Sequence, residues 1–165
     1  MLKRHLALAA LAVAALIPLA CDSPNESGRA IMDVSDINGG TPVALSVTSG
    51  AADNVDMEFR WRPYNNTLID QAETSPHGDV IVVHYRITWT SISGSAAIPA
   101  REENTSIFVP VYKLVTAGIR VATAEEKAGV TAPSTMLCHI DFNAREMGTT
   151  SKVDFSTEFT VSFTN

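Results

Sequence analysis

Residues 152–165 read KVDFSTEFTVSFTN. Val153, Phe155, Thr157, Phe159, Val161 and Phe163 share one parity. Asp154, Ser156, Glu158, Thr160, Ser162 and Thr164 share the other. Successive side chains of a strand point to opposite faces, so this alternation describes a half-buried strand with one face on a core. A long closing strand also ties the chain terminus down.

The same period of two recurs upstream. In NVDMEFRWRP (54–63), Val55, Met57, Phe59 and Trp61 point one way, Asp56, Glu58, Arg60 and Arg62 the other, and Pro63 ends the run. In DVIVVHYRITWTS (79–91), the alternation assigns Ile81, Val83, Tyr85, Ile87 and Trp89 to the inner face and His84, Arg86 and Thr88 to the outer. TMLCHIDFNA (135–144) places Cys138, Ile140 and Phe142 inward and His139 and Asp141 outward. TPVALSVTSG (41–50) offers Val43, Leu45 and Val47. Between 104 and 124, Pro110 and the Thr116-Ala117-Gly118 break predict two strands, about 105–109 and 118–123. AIMDVSDI (30–37) reads as either a strand or part of a linker. Turn residues separate these runs, among them Asn38-Gly39-Gly40, Ser93-Gly94 and Met147-Gly148.

One short segment reads as helix. Thr123 can cap Ala124 to Ala128, and Gly129 can stop it. No amphipathic stretch of helical length separates the strands, which excludes alternating α/β architectures. The expected fold is therefore all-β: an immunoglobulin-like antiparallel β-sandwich of about seven to eight strands, with Trp89 midway along an inner face.

The first twenty residues have a different character. Lys3, Arg4 and His5 precede an apolar run from Leu6 to Leu19, broken by Pro18. The run is too short to span a bilayer, which takes roughly 20 residues. A basic start, a short apolar run and small residues before a cut describe a secretory leader. Leu19-Ala20-Cys21 resembles the lipobox of bacterial lipoproteins, with its Leu one place closer to the Cys. That resemblance implies cleavage before Cys21 and more than one acyl chain on it, hence lasting membrane attachment. Asp22 resembles the inner-membrane retention signal of enteric bacteria. Residues 22–28, DSPNESG, read as a polar linker. The expected organisation is leader 1–20, tether 21–30 and β-sandwich 31–165. Leader, tether, an Arg62-Pro63 strand end and an alternating Phe strand together resemble a broad group of uncharacterised bacterial lipoproteins with one β-sandwich. That group implies no activity.

Cleavage would remove Lys3 and Arg4, leaving ten basic against eighteen acidic residues in 145. The net charge becomes −8, against −6 for the whole chain. Such a chain has no general attraction for nucleic acid or anionic lipid, and no Lys/Arg cluster overturns this. With Cys21 acylated, Cys138 is the single remaining thiol, so no intramolecular disulfide can form. A chain of this size can stand on its apolar core alone.

Candidate chemistry is sparse. His77-Gly78-Asp79 and His139-Ile140-Asp141 each put His and Asp on one strand face, where a metal would still need further ligands. A solvated sheet face explains both. Cys138 reads as a buried small hydrophobe, because the adjacent His139 faces the other way. Asp33, Asp36 and Asn38 lack the spacing of a calcium loop and read as an Asx-rich turn. FRWRPYNNT (59–67) is the most distinctive surface stretch: Arg60, Arg62 and Tyr64 form a candidate recognition patch, with cross-strand charge pairing as the plainer account. No motif calls for a cofactor.

The expectation is a non-enzymatic binding or structural module, lipid-anchored in the bacterial envelope on the periplasmic side or cell surface. Its partners are the membrane, through the N-terminal lipid, and an envelope protein or glycan. The alternatives are a surface filament subunit made from a lipidated precursor, and an enzyme with dispersed catalytic residues.

Overall fold

The computed structural model describes residues 30–63, 78–94, 97–148 and 151–165. Among them are eight strands in two sheets. β1 (Ala30–Ile37), β3 (Asp53–Pro63) and β6 (Leu114–Ala122) form one sheet in the order β1-β3-β6. β2 (Val43–Ser46), β4 (Val80–Ser93), β5 (Arg101–Val109), β7 (Ser134–Glu146) and β8 (Lys152–Thr164) form the other, in the order β2-β8-β7-β4-β5. The larger sheet curls into a half-barrel.

The alternation that identified the strands also sets which residues meet. Met57, Phe59 and Trp61 of β3 are buried against Met136, Cys138, Ile140 and Phe142 of β7 and Val161 and Phe163 of β8. Phe59 meets Phe142 edge to face at 5.3 Å between centroids and Phe155 at 6.2 Å. Phe142 and Phe155 stack at 4.9 Å within their own sheet. Edge-to-face pairs contribute about 0.5–1.5 kcal/mol beyond their buried area. On β8 the whole predicted inner set faces the core, with Val161 and Phe163 fully buried.

AIMDVSDI is a strand, and the path of the chain beyond it accounts for the Asn-Gly-Gly sequence. β1 pairs antiparallel with β3 in the small sheet. The chain then turns through Asn38, Gly39 and Gly40, and β2 pairs with β8 in the large sheet. The three turn residues have φ of 53°, 61° and 71°. Three successive left-handed residues kink the chain from one sheet to the other, and glycine takes up that conformation without a Cβ clash. The Asn38 side-chain amide donates to Thr41 O at 3.1 Å, bracing the turn.

Three expectations need correction. The sandwich is not wholly antiparallel, because the sheet switch delivers β2 parallel to β8. On β4, Ile81 and Val83 are not the inner residues. A β-bulge between Val82 and His84 inserts one unpaired residue, so Val80 and Val82 are buried before it and Tyr85 and Ile87 after it. A single extra residue reverses the parity of everything beyond it. Finally, Thr116-Ala117-Gly118 breaks no strand. β6 runs through it from Leu114 on the edge beside β3, and β5 starts at Arg101 rather than 105.

Gly40→Ala is expected to lower stability by about 1–2 kcal/mol through the left-handed backbone alone, because a Cβ there meets nothing closer than Asp36 Oδ1 at 3.9 Å. Gly50→Ala, in open space, should change it by less than about 0.5 kcal/mol. Urea denaturation midpoints of the two variants check this.

Candidate functional site

Polar side chains gather in three places: the outer face of each sheet and the gap between β5 and β6. On the small sheet, Arg60 of β3 projects outward and grips Asp33 of β1. Its Nε donates to Oδ1 at 3.0 Å and its Nη2 to Oδ2 at 2.8 Å. The hydrogen bonds and charge of Asp33 raise the guanidinium pKa further. Arg60 is therefore engaged by the cross-strand partner that alternation and register supply. The Arg62 side chain and Tyr64 lie outside the described structure, as do Cys21 and His77.

Next to this pair, Asp36, Asn38, Gly39, Asp56, Glu58 and Thr116 line an open recess of about 370 Å³. Ser35 donates to Glu58 Oε1 at 2.5 Å. Asp33, Asp36 and Asn38, close in sequence, are separated in use: Asp33 holds Arg60, Asp36 lines the recess, and Asn38 braces the turn.

The outer face of the large sheet carries a cross-strand ladder of charge. Glu102 sits 3.8 Å from His84 and 3.9 Å from Arg86. His139 Nε2 lies 3.0 Å from Asp141 Oδ1, and His139 Nδ1 3.8 Å from Glu158. Asn143 donates to Asp154 at 3.0 Å. His139 and Asp141 thus share a face as their spacing required. Among the described residues no group of three or more His, Cys, Asp or Glu side chains converges to hold a metal. Asp79, the other half of the His77 pair, accepts from the Val111 N–H at 3.0 Å and so braces the β5–β6 turn.

The third assembly could not be read from any one segment. α1 (Ala124–Ala128) starts with a reciprocal cap: Glu126 N donates to Thr123 Oγ1 at 3.2 Å, and Thr123 N donates to Glu126 Oε2 at 2.7 Å. The other Glu126 oxygen pairs with Arg101 Nε of β5 at 3.0 Å. Arg101 also pairs with Glu103 and donates to Arg120 O of β6 at 2.8 Å. Tyr85 OH donates to Glu103 Oε2 at 2.7 Å. Arg120 reaches Glu103 at 3.5 Å. Lys127, with no exposed surface, meets Asp53 of β3 at 2.5 Å. Three cations and three carboxylates thus compensate one another across the gap where the sheet edges β5 and β6 approach. Burial raises the Tyr85 pKa, while Arg101 and Arg120 pull it back. The Thr-x-x-Glu spacing at 123–126 was the one legible sign of this network. Its other members come from strands remote in sequence.

Cys138 is fully buried, as its parity required. Burial pushes its thiol up to about 12, and nearby Arg101 offsets only part of this. It is a packing group rather than a nucleophile at neutral pH.

Comparison with protein-family models, with curated proteins and with solved structures returns no match.

The buried groups give two expected outcomes. Asp53→Ala should cost about 3–5 kcal/mol by leaving the Lys127 charge uncompensated, and adding Lys127→Met should restore much of it; urea titration of both variants measures this. The folded Cys138 thiol keeps its proton to higher pH than the unfolded one. Its contribution is therefore complete below about 9.0 and lost as pH rises towards about 12. Cys138→Ala should flatten the alkaline fall in unfolding free energy, measured on either side of that range.

Proposed function

We propose that this chain is a lipid-anchored protein of the bacterial envelope whose β-sandwich serves as a non-enzymatic binding or structural module. The observation that carries the reading is the run from Lys3 to Cys21: basic start, short apolar stretch, then Leu19-Ala20-Cys21 and a polar linker. The first described strand begins at Ala30, directly after that linker.

The strand order supports an immunoglobulin-like architecture. With β1 as the first strand, the small sheet holds the first, second and fifth strands of such a domain. The large sheet then holds the last two beside the third and its following edge strand. β2 is the second half of a first strand split between the sheets. Trp89, on the third strand of that scheme, lies opposite Cys138 and packs 5.7 Å from Phe163. Domains of this kind engage partners through end loops and free sheet edges, which here suits an envelope protein or a glycan.

A filament subunit is the second reading. It needs a terminal strand free to leave. β8 is paired on both sides, with β2 and β7, and carries Val161 and Phe163 into the core, which favours the single-domain module.

The intact mass of the chain extracted from membranes tests the proposal. A chain beginning at Cys21 with added acyl mass is expected, and Cys21→Ser should abolish both the added mass and membrane retention. An unacylated, soluble chain overturns the anchor.

A further inference from the structure

Among the described residues four large apolar side chains are well exposed, and three of them share one end. Phe108 is 46%, Leu114 58% and Met147 48% exposed; Ile92, at the opposite end, is the fourth. Phe108 lies one residue before the end of β5. Leu114 opens β6 after a tight turn from Pro110 to Lys113. Met147 begins the β7–β8 turn. Asp79 ties these pieces together, accepting from the Val111 N–H with its carboxylate and from the Met147 N–H with its carbonyl at 2.7 Å. Tyr112 packs 5.7 Å from Trp61 and pins the turn that presents Lys113 and Leu114.

Among the described residues, this end carries three exposed cations. Register places Phe108, Ile81, Arg145 and Lys152 side by side across the outer face of the large sheet. Arg145, Lys152 and Lys113 are exposed, and none has an ion-pair partner among the described residues. Among the described residues the acids at this end are engaged: Asp79 as above, Glu146 by the Gly78 N–H at 2.6 Å, Asp33 by Arg60, and Asp154 by the Asn143 amide at 3.0 Å. Asp36, Asp56 and Glu125 lie towards the opposite end.

The chain enters at this same end. Ala30 pairs with Pro63, and Arg60, three residues earlier, pairs with Leu114. The ten residues from Cys21 to Ala30 span at most roughly 33–36 Å.

We propose that this end of the sandwich rests on an anionic phospholipid surface, with Phe108, Leu114 and Met147 entering the headgroup layer and Lys113, Arg145 and Lys152 pairing with phosphates. The proposal rests on the acylation of Cys21, which holds this end nearest the bilayer. Exposed apolar side chains and exposed cations at one end match an anionic interface. The rest of the chain carries a net negative charge, so an anionic surface repels the far end and reinforces the orientation. The opposite end, with its acidic recess, then faces away and is left open to partners.

The test uses the mature acylated chain in vesicles of equal parts phosphatidylethanolamine and phosphatidylglycerol. An environment-sensitive fluorophore is placed at Met147→Cys and, as a control at the far end, at Ala51→Cys. Cys138 is buried and does not compete for label. The expected result is a blue shift and protection from an aqueous quencher at 147 but not at 51, lost at high salt. Neutralising Lys113, Arg145 or Lys152 to Gln should each lower the membrane-apposed population roughly fivefold. Chains that float with the vesicles while both probes remain in water overturn the orientation and leave the anchor standing. Chains that carry no acyl mass and do not float overturn the anchor, and the orientation with it. Protection at 147 that rises with protein concentration in the absence of vesicles shows a second copy on this face and also overturns the proposal.

Discussion

Two sheets without a covalent link between their faces must be held by apolar contact, and here that contact centres on Phe59. It projects from the middle of the small sheet onto Phe142 and Phe155 of the large one, and all three rings meet within 6.2 Å. Residues 22–165 contain one cysteine, so no disulfide can replace this packing inside the domain. Trp61, Met57 and the buried rows of β7 and β8 extend the same layer. The inward position of Cys138 follows from it as well. Filling that layer keeps the thiol protonated and inert.

A sandwich also has two open sides, and each is closed differently. On one, the chain itself crosses from sheet to sheet through Asn38, Gly39 and Gly40. On the other, β5 and β6 join through the Pro110–Lys113 turn, and charged groups fill the gap beyond it. Burying Lys127 and Arg101 costs desolvation, so each is matched by a carboxylate at close range. A buried network of this kind specifies one arrangement of edges more than it adds stability. The cap of α1 belongs to it, since Glu126 serves helix and ion pair at once.

These closures leave the two ends unlike. Among the described residues, one end gathers the chain entry, three exposed apolar side chains and three exposed cations. The other gathers the sheet-switch turn, the acid-lined recess and the short helix. A domain held to a membrane by its N-terminus has reason for such a difference. On the proposed orientation the near end meets lipid, and the far end meets whatever the envelope presents. The outer faces, with their paired charges, remain solvated surfaces between the two.

Most of the strands were legible because a half-buried strand must alternate, and alternation is local. β3, β7 and β8 follow it residue by residue, and the cap of α1 is a local signature too. β4 misled because a bulge costs one residue and leaves no mark in composition. Its parity reverses at Val83, and the inner set becomes Val80 and Val82 followed by Tyr85 and Ile87. Arg60 was legible as an outward residue, but its partner Asp33 depended on a register across 27 positions. The sequence by itself determined the all-β fold class and the inward place of Cys138, and it alone carries the lipobox-like run ending at Cys21. Each of these is written in neighbouring residues. The parallel pairing of β2, the ion network under α1 and the apolar, cationic end were decided only by the tertiary structure. Each depends on which distant strands lie side by side, and burial and long-range register set that together.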